Sequence, residues 1–165
     1  MASASKTTPR WLTSDEQRVW RSYLSANRLV FDQIDRELQR DSGLPHAYYE
    51  ILVRLSEAPD RALRMSALAD RSQSSRSRLS HAVARLEDSG FVTRESCPSD
   101  KRGQIARLTD DGFAALHAAA QLHVESVRAH VFDPLTPAQL EQLRTISQAL
   151  LDALAEGADA GGGGG

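Results

Sequence analysis

The chain has 165 residues, of which 41% are hydrophobic and 25% charged, and its net charge is −2 at pH 7. This composition is typical of a globular chain, and the length suggests one domain with appended arms. The single cysteine, Cys97, excludes an intramolecular disulfide framework. No apolar run approaches the ~18 residues that cross a bilayer, and no secretory leader is recognisable, so we expect a cytoplasmic protein without a membrane partner.

Helical patterns dominate the first part of the chain. Thr13 and Glu16 form a capping box before apolar residues spaced by three or four, which predicts a long helix over 13–40. The breaker sequence at 41–45 ends this helix.

A second helix is predicted over 45–57, with Pro45 in its first turn and Pro59 beyond its end. Its predicted inward residues are Tyr48, Ile51, Leu52 and Leu55. Residues 63–65 are a candidate short strand, and Ser66 is the predicted cap of a brief third helix.

A fourth helix is predicted after the polar turn at 72–74. It starts near Ser74 or Ser75, and Gly90 is a suitable residue to terminate it. The inward positions, spaced by four and three, are Leu79, Val83 and Leu86.

Two antiparallel strands, 91–96 and 104–108, are predicted to flank a turn at 97–103. Thr109 then caps a fifth helix. A second capping box, formed by Thr136 and Gln139, opens a last helix that runs to about Ala155. A short helix, a tight turn, an amphipathic helix and a hairpin, in this order, indicate a winged helix-turn-helix within a mainly α fold.

Positive charge is concentrated in this part of an otherwise acidic chain. Residues 71–107 contain eight basic and four acidic residues, and residues 71–86 contain no acid. The segment therefore has a net charge of +4 and leaves −6 for the remainder. The local field governs contact with a polyanion more than the total charge does, so this segment is predicted to face double-stranded DNA.

The candidate DNA contacts lie on the fourth helix and at the tip of the hairpin. Arginine and serine side chains suit base edges and phosphates, and a cation at the tip suits a narrow minor groove. Asp100 is predicted to orient Arg102 by accepting its hydrogen bond. Phosphate contacts are also expected from Arg71. The predicted contact residues are Ser74, Ser75, Arg76, Ser77, Arg78, Ser80, His81, Arg85, Lys101 and Arg102.

The segment from Ser66 to Gly112 resembles the winged-helix core of the MarR family of bacterial transcription regulators. The most specific part is Asp100-Lys101-Arg102-Gly103 followed by Leu108-Thr109-x-x-Gly112, which is similar to the family's wing signature. The resemblance covers residues 13–155. It implies an obligate homodimer whose first and last helices interdigitate, with each lobe bound to half of a pseudo-palindrome and Arg102 in the minor groove.

The predicted organisation has five parts. Residues 1–12 form a disordered arm, 13–44 and 113–156 form dimerisation helices, 45–112 form the DNA-binding lobe, and 157–165 form a flexible Gly-rich tail. The apolar stripes of the first and last helices are longer than a small winged-helix core could cover, which also favours dimerisation. The function implied is a transcriptional regulator, a repressor rather than an activator, that a small ligand releases.

Members of this family often bind small aromatic acids or phenols in a crevice beside the DNA-binding lobe. Residues that could line it are Trp20, Tyr23, His46, Tyr48 and Tyr49. Aromatic residues at helical spacing serve as readily in a core.

Three other readings remain open or are disfavoured. Cys97 could be a redox switch activated by Arg94, and a winged helix could also bind only proteins. His117, His123 and His130 are spaced by six and seven, which does not suit one metal ion on a helix. No catalytic constellation or phosphate loop is visible, so we expect neither an enzyme nor a cofactor.

Overall fold

A computed structural model describes residues 9–72, 75–97 and 100–161, without the side chains of 100–102 and 157–161. The fold is mainly α with one small sheet, as predicted. The helices are α1 (Ser14–Ser42), α2 (His46–Ser56), α3 (Met65–Arg71), α4 (Arg76–Asp88), α5 (Asp110–Val127) and α6 (Pro137–Gly161). The strands are β1 (Ala62–Arg64), β2 (Val92–Cys97) and β3 (Asp100–Leu108).

The long helices begin at the caps that the sequence predicts. The Thr13 amide donates to Glu16 Oε2 at 2.7 Å, and the Glu16 amide donates to Thr13 Oγ1 at 3.2 Å. At α6, the Thr136 amide donates to Gln139 Oε1 at 2.9 Å, and the Gln139 amide donates to Thr136 Oγ1 at 3.3 Å. Each box satisfies two amides that the helix itself leaves without a partner.

One local prediction is wrong. Helix α3 begins at Met65 because the chain turns directly from β1 through Arg64, so Ser66 lies inside the helix and does not cap it. On α2 the predicted inward Tyr48 is half-buried against the core, and the prediction omitted Tyr49, which is the more deeply buried tyrosine.

The sheet has three antiparallel strands in the order β1-β3-β2. The predicted hairpin is β2 and β3, and both strands continue further toward the turn than expected, with an irregularity between Ser96 and Cys97. The candidate strand at 63–65 is confirmed as β1, one residue earlier, but its place in the sheet was not predicted: it pairs Leu63 with the fully buried Ala106 of β3. The partner lies some forty positions away in sequence, so no local pattern indicates the pairing.

One hydrophobic core holds α2–α5 and the sheet together. Leucines of three helices meet at its centre, joined by Val92 of β2 and Ala106 of β3. Each buried leucine or valine contributes about 1.5–3 kcal/mol relative to an exposed one. The largest fully buried side chains are Leu38 of α1 and Leu52, Leu55, Leu68, Leu79, Val83, Leu86 and Val92. This core fixes α4 against α2 and the sheet, with its remaining faces outward.

The chain divides into two compact units, Met1–Gln33 and Ile34–Gly165, each with large apolar side chains on its surface. In the first unit these are Val19, Trp20, Tyr23, Leu24, Leu29 and Phe31. In the second they follow α6, at Leu140, Leu143, Ile146, Leu150, Leu151 and Leu154. Contiguous apolar surface of this kind usually marks an interface.

The end of α5 departs from regular α geometry. Residues Arg128–Phe132 form a turn of π-helix, in which the Asp133 amide donates to the Arg128 carbonyl at 2.8 Å. Helix α6 then continues to Gly161, beyond the predicted end near Ala155 and into the predicted tail, while residues 162–165 lie outside the described part. None of the described helices has a stretch long and apolar enough to cross a bilayer.

Candidate nucleic-acid interface

Helix α4 begins at a serine cap, as predicted. Ser75 is its N-cap residue, and the Ser75 Oγ accepts a hydrogen bond from the Arg78 amide at 3.4 Å. Gly90, with a φ of 76°, follows the last turn in the left-handed conformation that favours glycine. Ser74, the other predicted start, lies outside the described residues.

The buried face of α4 carries Leu79, Val83 and Leu86, as the spacing predicts. Every predicted contact residue within α4 is exposed. These residues are Arg76, Ser77, Arg78, Ser80, His81 and Arg85. At 3.6 residues per turn, Ser77 and His81 lie roughly opposite the buried face. Arg78, Ser80 and Arg85 lie beside them, and Arg76 lies nearest the buried face.

A cavity borders α4 on each side. One cavity, of about 300 Å³, is lined by Arg76 and Ser80 of α4 together with Arg64 of β1 and Gln104 of β3. The other, of about 500 Å³, is lined by Arg78 and His81 of α4 together with residues of α2. The polar surface of α4 is therefore continuous with two concave regions.

Two arginines of the wing strands are held by carboxylates of the same lobe. Arg94 Nε donates to Glu87 Oε2 at 2.7 Å, and this hydrogen bond lowers the pKa of the Glu87 carboxyl. Arg107 Nε donates to Glu95 Oε1 at 3.0 Å. These pairs remove equal numbers of positive and negative charges, so the excess positive charge of residues 71–107 remains on the α4 region and the wing turn.

The other cations of this region are open to solvent. Arg71 is exposed at the end of α3, and Arg85 Nη1 lies 3.8 Å from Asp88 Oδ2 in an exposed pair. Exposed pairs of this kind contribute little and leave the cation available. Strand β3 begins at Asp100, but the side chains of Asp100, Lys101 and Arg102 lie outside the described part.

Known proteins are similar to this chain both in sequence and in backbone structure. A MarR-family sequence model matches residues 42–103. The structure of Sco3205, a MarR family transcriptional regulator of Streptomyces coelicolor solved in complex with DNA, is 56% identical with a TM-score of 0.82, covering 88% of this chain and 92% of that one. AbsC of the same organism, also a MarR family transcriptional regulator, is 42% identical with a TM-score of 0.81, covering 90% of this chain and 99% of that one.

The chain belongs to the MarR family of transcriptional regulators. A sequence relative, the HTH-type transcriptional regulator YkoM of Bacillus subtilis, is 35% identical over 65 residues. That match covers 39% of this chain and 42% of YkoM, so the chain matches less than half the length of that relative.

The MarR wing signature has a structural role at its second half. Thr109 Oγ1 accepts from the Gly112 amide at 2.9 Å and donates to the Gly90 carbonyl at 2.8 Å. The Thr109 amide donates to the Phe91 carbonyl at 3.1 Å. Threonine thus caps α5 and ties its first turn to the corner that follows α4.

The predicted ligand residues belong to different elements of the fold. Trp20 and Tyr23 lie in the first compact unit with ring centroids 6.0 Å apart. In the second unit, Tyr48 lines the 500 Å³ cavity beside α4. His46 and the buried Tyr49 belong instead to a ring cluster on α2 and α5.

This ring cluster is completed by His123 of α5, which sequence spacing alone had assigned to a disfavoured metal site. The His123 ring centroid lies 4.6 Å from that of Tyr49 and 5.4 Å from that of His46. Within the described residues, His123 Nδ1 is buried without a hydrogen-bond partner. Burial, and then the charge of His46, lower the pKa of His123, while Glu50 raises it.

We expect the His123→Phe variant to lose part of the acid sensitivity of the wild type. Folding disfavours the protonated ring, so the unfolded chain binds more protons below pH ~6.5, and the free energy of unfolding falls as the pH falls through and below that value. Phenylalanine keeps an aromatic ring in contact with Tyr49 and His46 but cannot bind the proton. Urea unfolding between pH 5 and 8 measures this, with exposed His117→Phe as the control; an unchanged pH dependence in His123→Phe would contradict it.

The remaining sequence candidates are engaged elsewhere. Cys97 is buried, with 5% of its surface exposed, and the arginine invoked to activate it, Arg94, is paired with Glu87. His130 Nε2 lies 2.9 Å from Glu37 Oε1, and Ser126 Oγ donates to Glu37 Oε2 at 2.5 Å. Among the described residues, no three His, Cys, Asp or Glu side chains gather as a metal ion requires.

Three residues at the α4 surface were missed by the sequence reasoning: Arg64, Ser66 and Gln104 line the 300 Å³ cavity beside Arg76. Arg64 and Ser66 precede the cationic segment that was counted, and Gln104 carries no charge. The sequence feature that could have identified them is their position at the start of the helix-turn-helix and in the second strand of the wing.

Proposed function

We propose that this protein is a homodimeric, sequence-specific DNA-binding regulator that represses transcription from a pseudo-palindromic operator and is released by a small ligand. The observation that carries the proposal is the exposed face of α4, which is rich in arginine and serine and opposes a fully apolar buried face. Its site of action would be the cytoplasm, where bacterial DNA lies.

In this proposal α4 enters the major groove. Ser77, Arg78 and His81 face base edges, and Arg71, Arg85 and the capped start of α4 contact phosphates. Lys101 and Arg102 enter the minor groove, with Asp100 as the orienting acceptor. The DNA in the Sco3205 structure supports this assignment, because that protein is 56% identical to this chain.

Dimerisation is supported by the apolar side chains along α6 and along the N-terminal part of α1. A chain that kept such surfaces in water would be prone to association. A two-fold dimer would present two copies of α4 to half-sites one DNA turn, about 34–36 Å, apart.

Release by a ligand is supported by the 500 Å³ cavity on one flank of α4. Its lining includes Tyr48 from α2 and Arg78 and His81 from α4, so an occupant would contact residues assigned to DNA. Trp20, Tyr23, His46 and Tyr49 remain the other candidate ligand residues. We assign no enzymatic activity and no cofactor to this chain.

The test is the binding of the full chain to the DNA upstream of its own gene, compared with an unrelated duplex, at several salt concentrations. We expect preferential binding and a steep fall in affinity with salt, because contacts to phosphates release counterions. Footprinting with and without phenolic acids would locate the operator and test release. Equal affinity for both duplexes, or a flat salt response, would contradict the proposal and favour a protein-interaction module.

We expect the Arg78→Ala variant to bind the operator about 5–150-fold more weakly for each half-site that it contacts, since one arginine at a base edge contributes about 1–3 kcal/mol. Arg78 is exposed, so the melting temperature should stay near that of the wild type. Binding is measured by fluorescence anisotropy. Arg144→Ala is the matched control, because Arg144 is paired with Glu141 on the same exposed turn of α6; equal affinities for the two variants would contradict the role of Arg78.

The redox alternative is not favoured by a specific observation. Cys97 is buried at the end of β2, and the nearby Arg94 is engaged by Glu87. Operator binding that resists peroxide equally in the wild type and in Cys97→Ser would remove this alternative.

A further inference from the structure

We propose that the 300 Å³ cavity beside α4 is a binding site for one DNA backbone phosphate, in which Arg64 acts together with Arg76. We call this cavity the wing cleft and define it by Arg64, Ser66, Arg76, Ser80 and Gln104. The inference rests on the proposed DNA-binding function and adds Arg64, Ser66 and Gln104 to it.

The wing cleft is built from three separate elements. Arg64 and Ser66 belong to the junction of β1 and α3, Arg76 and Ser80 to α4, and Gln104 to β3 of the wing. The third strand is what makes this possible, because β1 pairs with β3 and brings Arg64 opposite Ile105, next to Gln104. A ligand in the cleft would contact the helix-turn-helix and the wing together.

The chemistry of the lining suits a phosphodiester. Two arginines and three residues with neutral hydrogen-bonding side chains line the cavity together with Met65 and Leu79, and none of the described lining residues carries a carboxylate. Guanidinium forks bind phosphate oxygens through paired charge-assisted hydrogen bonds. On the wing side, Gly103 adds no side chain beside that of Gln104.

The position of Arg76 on α4 favours a phosphate over a base as its target. Arg76 and Ser80 are four residues apart and therefore lie on one flank of the helix, between the buried face and the outward face. Major-groove base edges are reached from the outward face, whereas the flanks of a recognition helix face the two strands of the backbone. The cleft is thus placed where a strand beside the groove would pass.

The test compares operator binding by Arg64→Ala, Arg64→Lys and the control Arg144→Ala. For Arg64→Ala we expect affinity to fall about tenfold for each half-site, and so about 100-fold for a dimer, as for loss of one charged hydrogen bond at each site. The slope of log affinity against log salt should become shallower by about 2 for a dimer with one such phosphate in each half-site. Arg64→Lys should retain the slope. All variants should melt near the wild-type temperature, because Arg64 is exposed.

A second measurement identifies the phosphate directly. Single phosphates of the operator are replaced by uncharged methylphosphonates, and binding is measured for the wild type and for Arg64→Ala. We expect one position in each half-site at which the replacement weakens wild-type binding but has little further effect on the variant. Such coupling is the signature of a direct contact, and the loss should be similar for operators of different sequence.

The outcomes separate this inference from the function on which it rests. Normal wild-type binding, with Arg64→Ala equal to Arg144→Ala in affinity and salt slope, would overturn the wing cleft alone. Failure of the wild type to bind DNA would overturn the proposed function and the cleft with it. Saturable binding of inorganic phosphate at Arg64, seen by NMR, together with unaltered DNA binding by Arg64→Ala, would assign the site to a free anion and overturn the backbone contact.

Discussion

Replacement of Gly112 by alanine is expected to lower the free energy of unfolding by about 3 kcal/mol or more. A Cβ at this position would lie 2.1 Å from the Phe91 carbonyl oxygen and 2.8 Å from Leu108 Cδ1. The obstacle is backbone, and the Thr109 amide is hydrogen-bonded to the same carbonyl, so the corner after α4 cannot move without losing that bond. Overpacking of this kind exceeds the gain of about 1 kcal/mol in helix propensity.

Gly43→Ala is the matched control for Gly112→Ala. Gly43 has a φ of 72°, and a Cβ there meets nothing within 4 Å, so alanine costs only the strain of the left-handed conformation, about 1–2 kcal/mol. Thermal and urea unfolding at one protein concentration would measure both variants. We expect the melting temperature of Gly112→Ala to fall by about 6–12 °C. Equal losses in the two variants would show that the contact with Phe91 is relieved at little cost.

Leu150→Glu is expected to convert the proposed dimer into a monomer and to weaken operator binding at least about 100-fold. Leu150 is 48% exposed on α6, between Ile146 and Leu154, which are 57% and 73% exposed. A carboxylate buried at a subunit interface costs several kcal/mol unless it is paired. A monomer would hold one half-site and lose the gain of about 10²–10⁴ that comes from linking two.

Gln148→Glu is the control for Leu150→Glu, because it adds the same charge to the opposite, polar face of α6. Sedimentation equilibrium gives the oligomeric state and anisotropy gives the affinity for the operator. We expect Gln148→Glu to stay dimeric and to bind as the wild type does. A dimeric Leu150→Glu variant would show that the apolar face of α6 is not the interface.

Much of the fold is local in origin and was accessible from sequence. The capping boxes at Thr13 and Thr136, the glycine after α4 and the spacing of Leu79, Val83 and Leu86 each depend on residues within a few positions of one another. Strand β1 was incompletely predicted because its partner in β3 is distant in sequence. The start of α3 was wrong because the approach of the chain from β1, and not a serine hydroxyl, determines where that helix begins.

In the candidate site, too, the local features were predicted and the contacts between distant residues were not. Periodicity correctly identified which face of α4 is exposed. Composition could not show that Arg94 is paired with Glu87 and Arg107 with Glu95, because the first pair depends on how β2 follows α4 and the second on the pairing of β2 with β3. The wing cleft could not be predicted from sequence either, because Arg64 and Arg76 line one cavity only when β1 is paired with β3. The cluster of His46, Tyr49 and His123 likewise requires α5 to pack on α2.

The π-helical turn at Arg128–Phe132 has a consequence for insertions and deletions in this region. In this turn the Asp133 amide donates its hydrogen bond to a carbonyl five residues earlier, one residue further back than in an α-helix. Deletion of one residue there would restore regular α winding and leave the following residues at nearly the same rotation about the axis, because the wide turn absorbs one extra residue. Deletion of one residue from the regular part of α5 would instead rotate the residues that follow it by about 100°. We therefore expect the loss of one residue between Arg128 and Phe132 to be tolerated better than the loss of one residue from the preceding turns of α5.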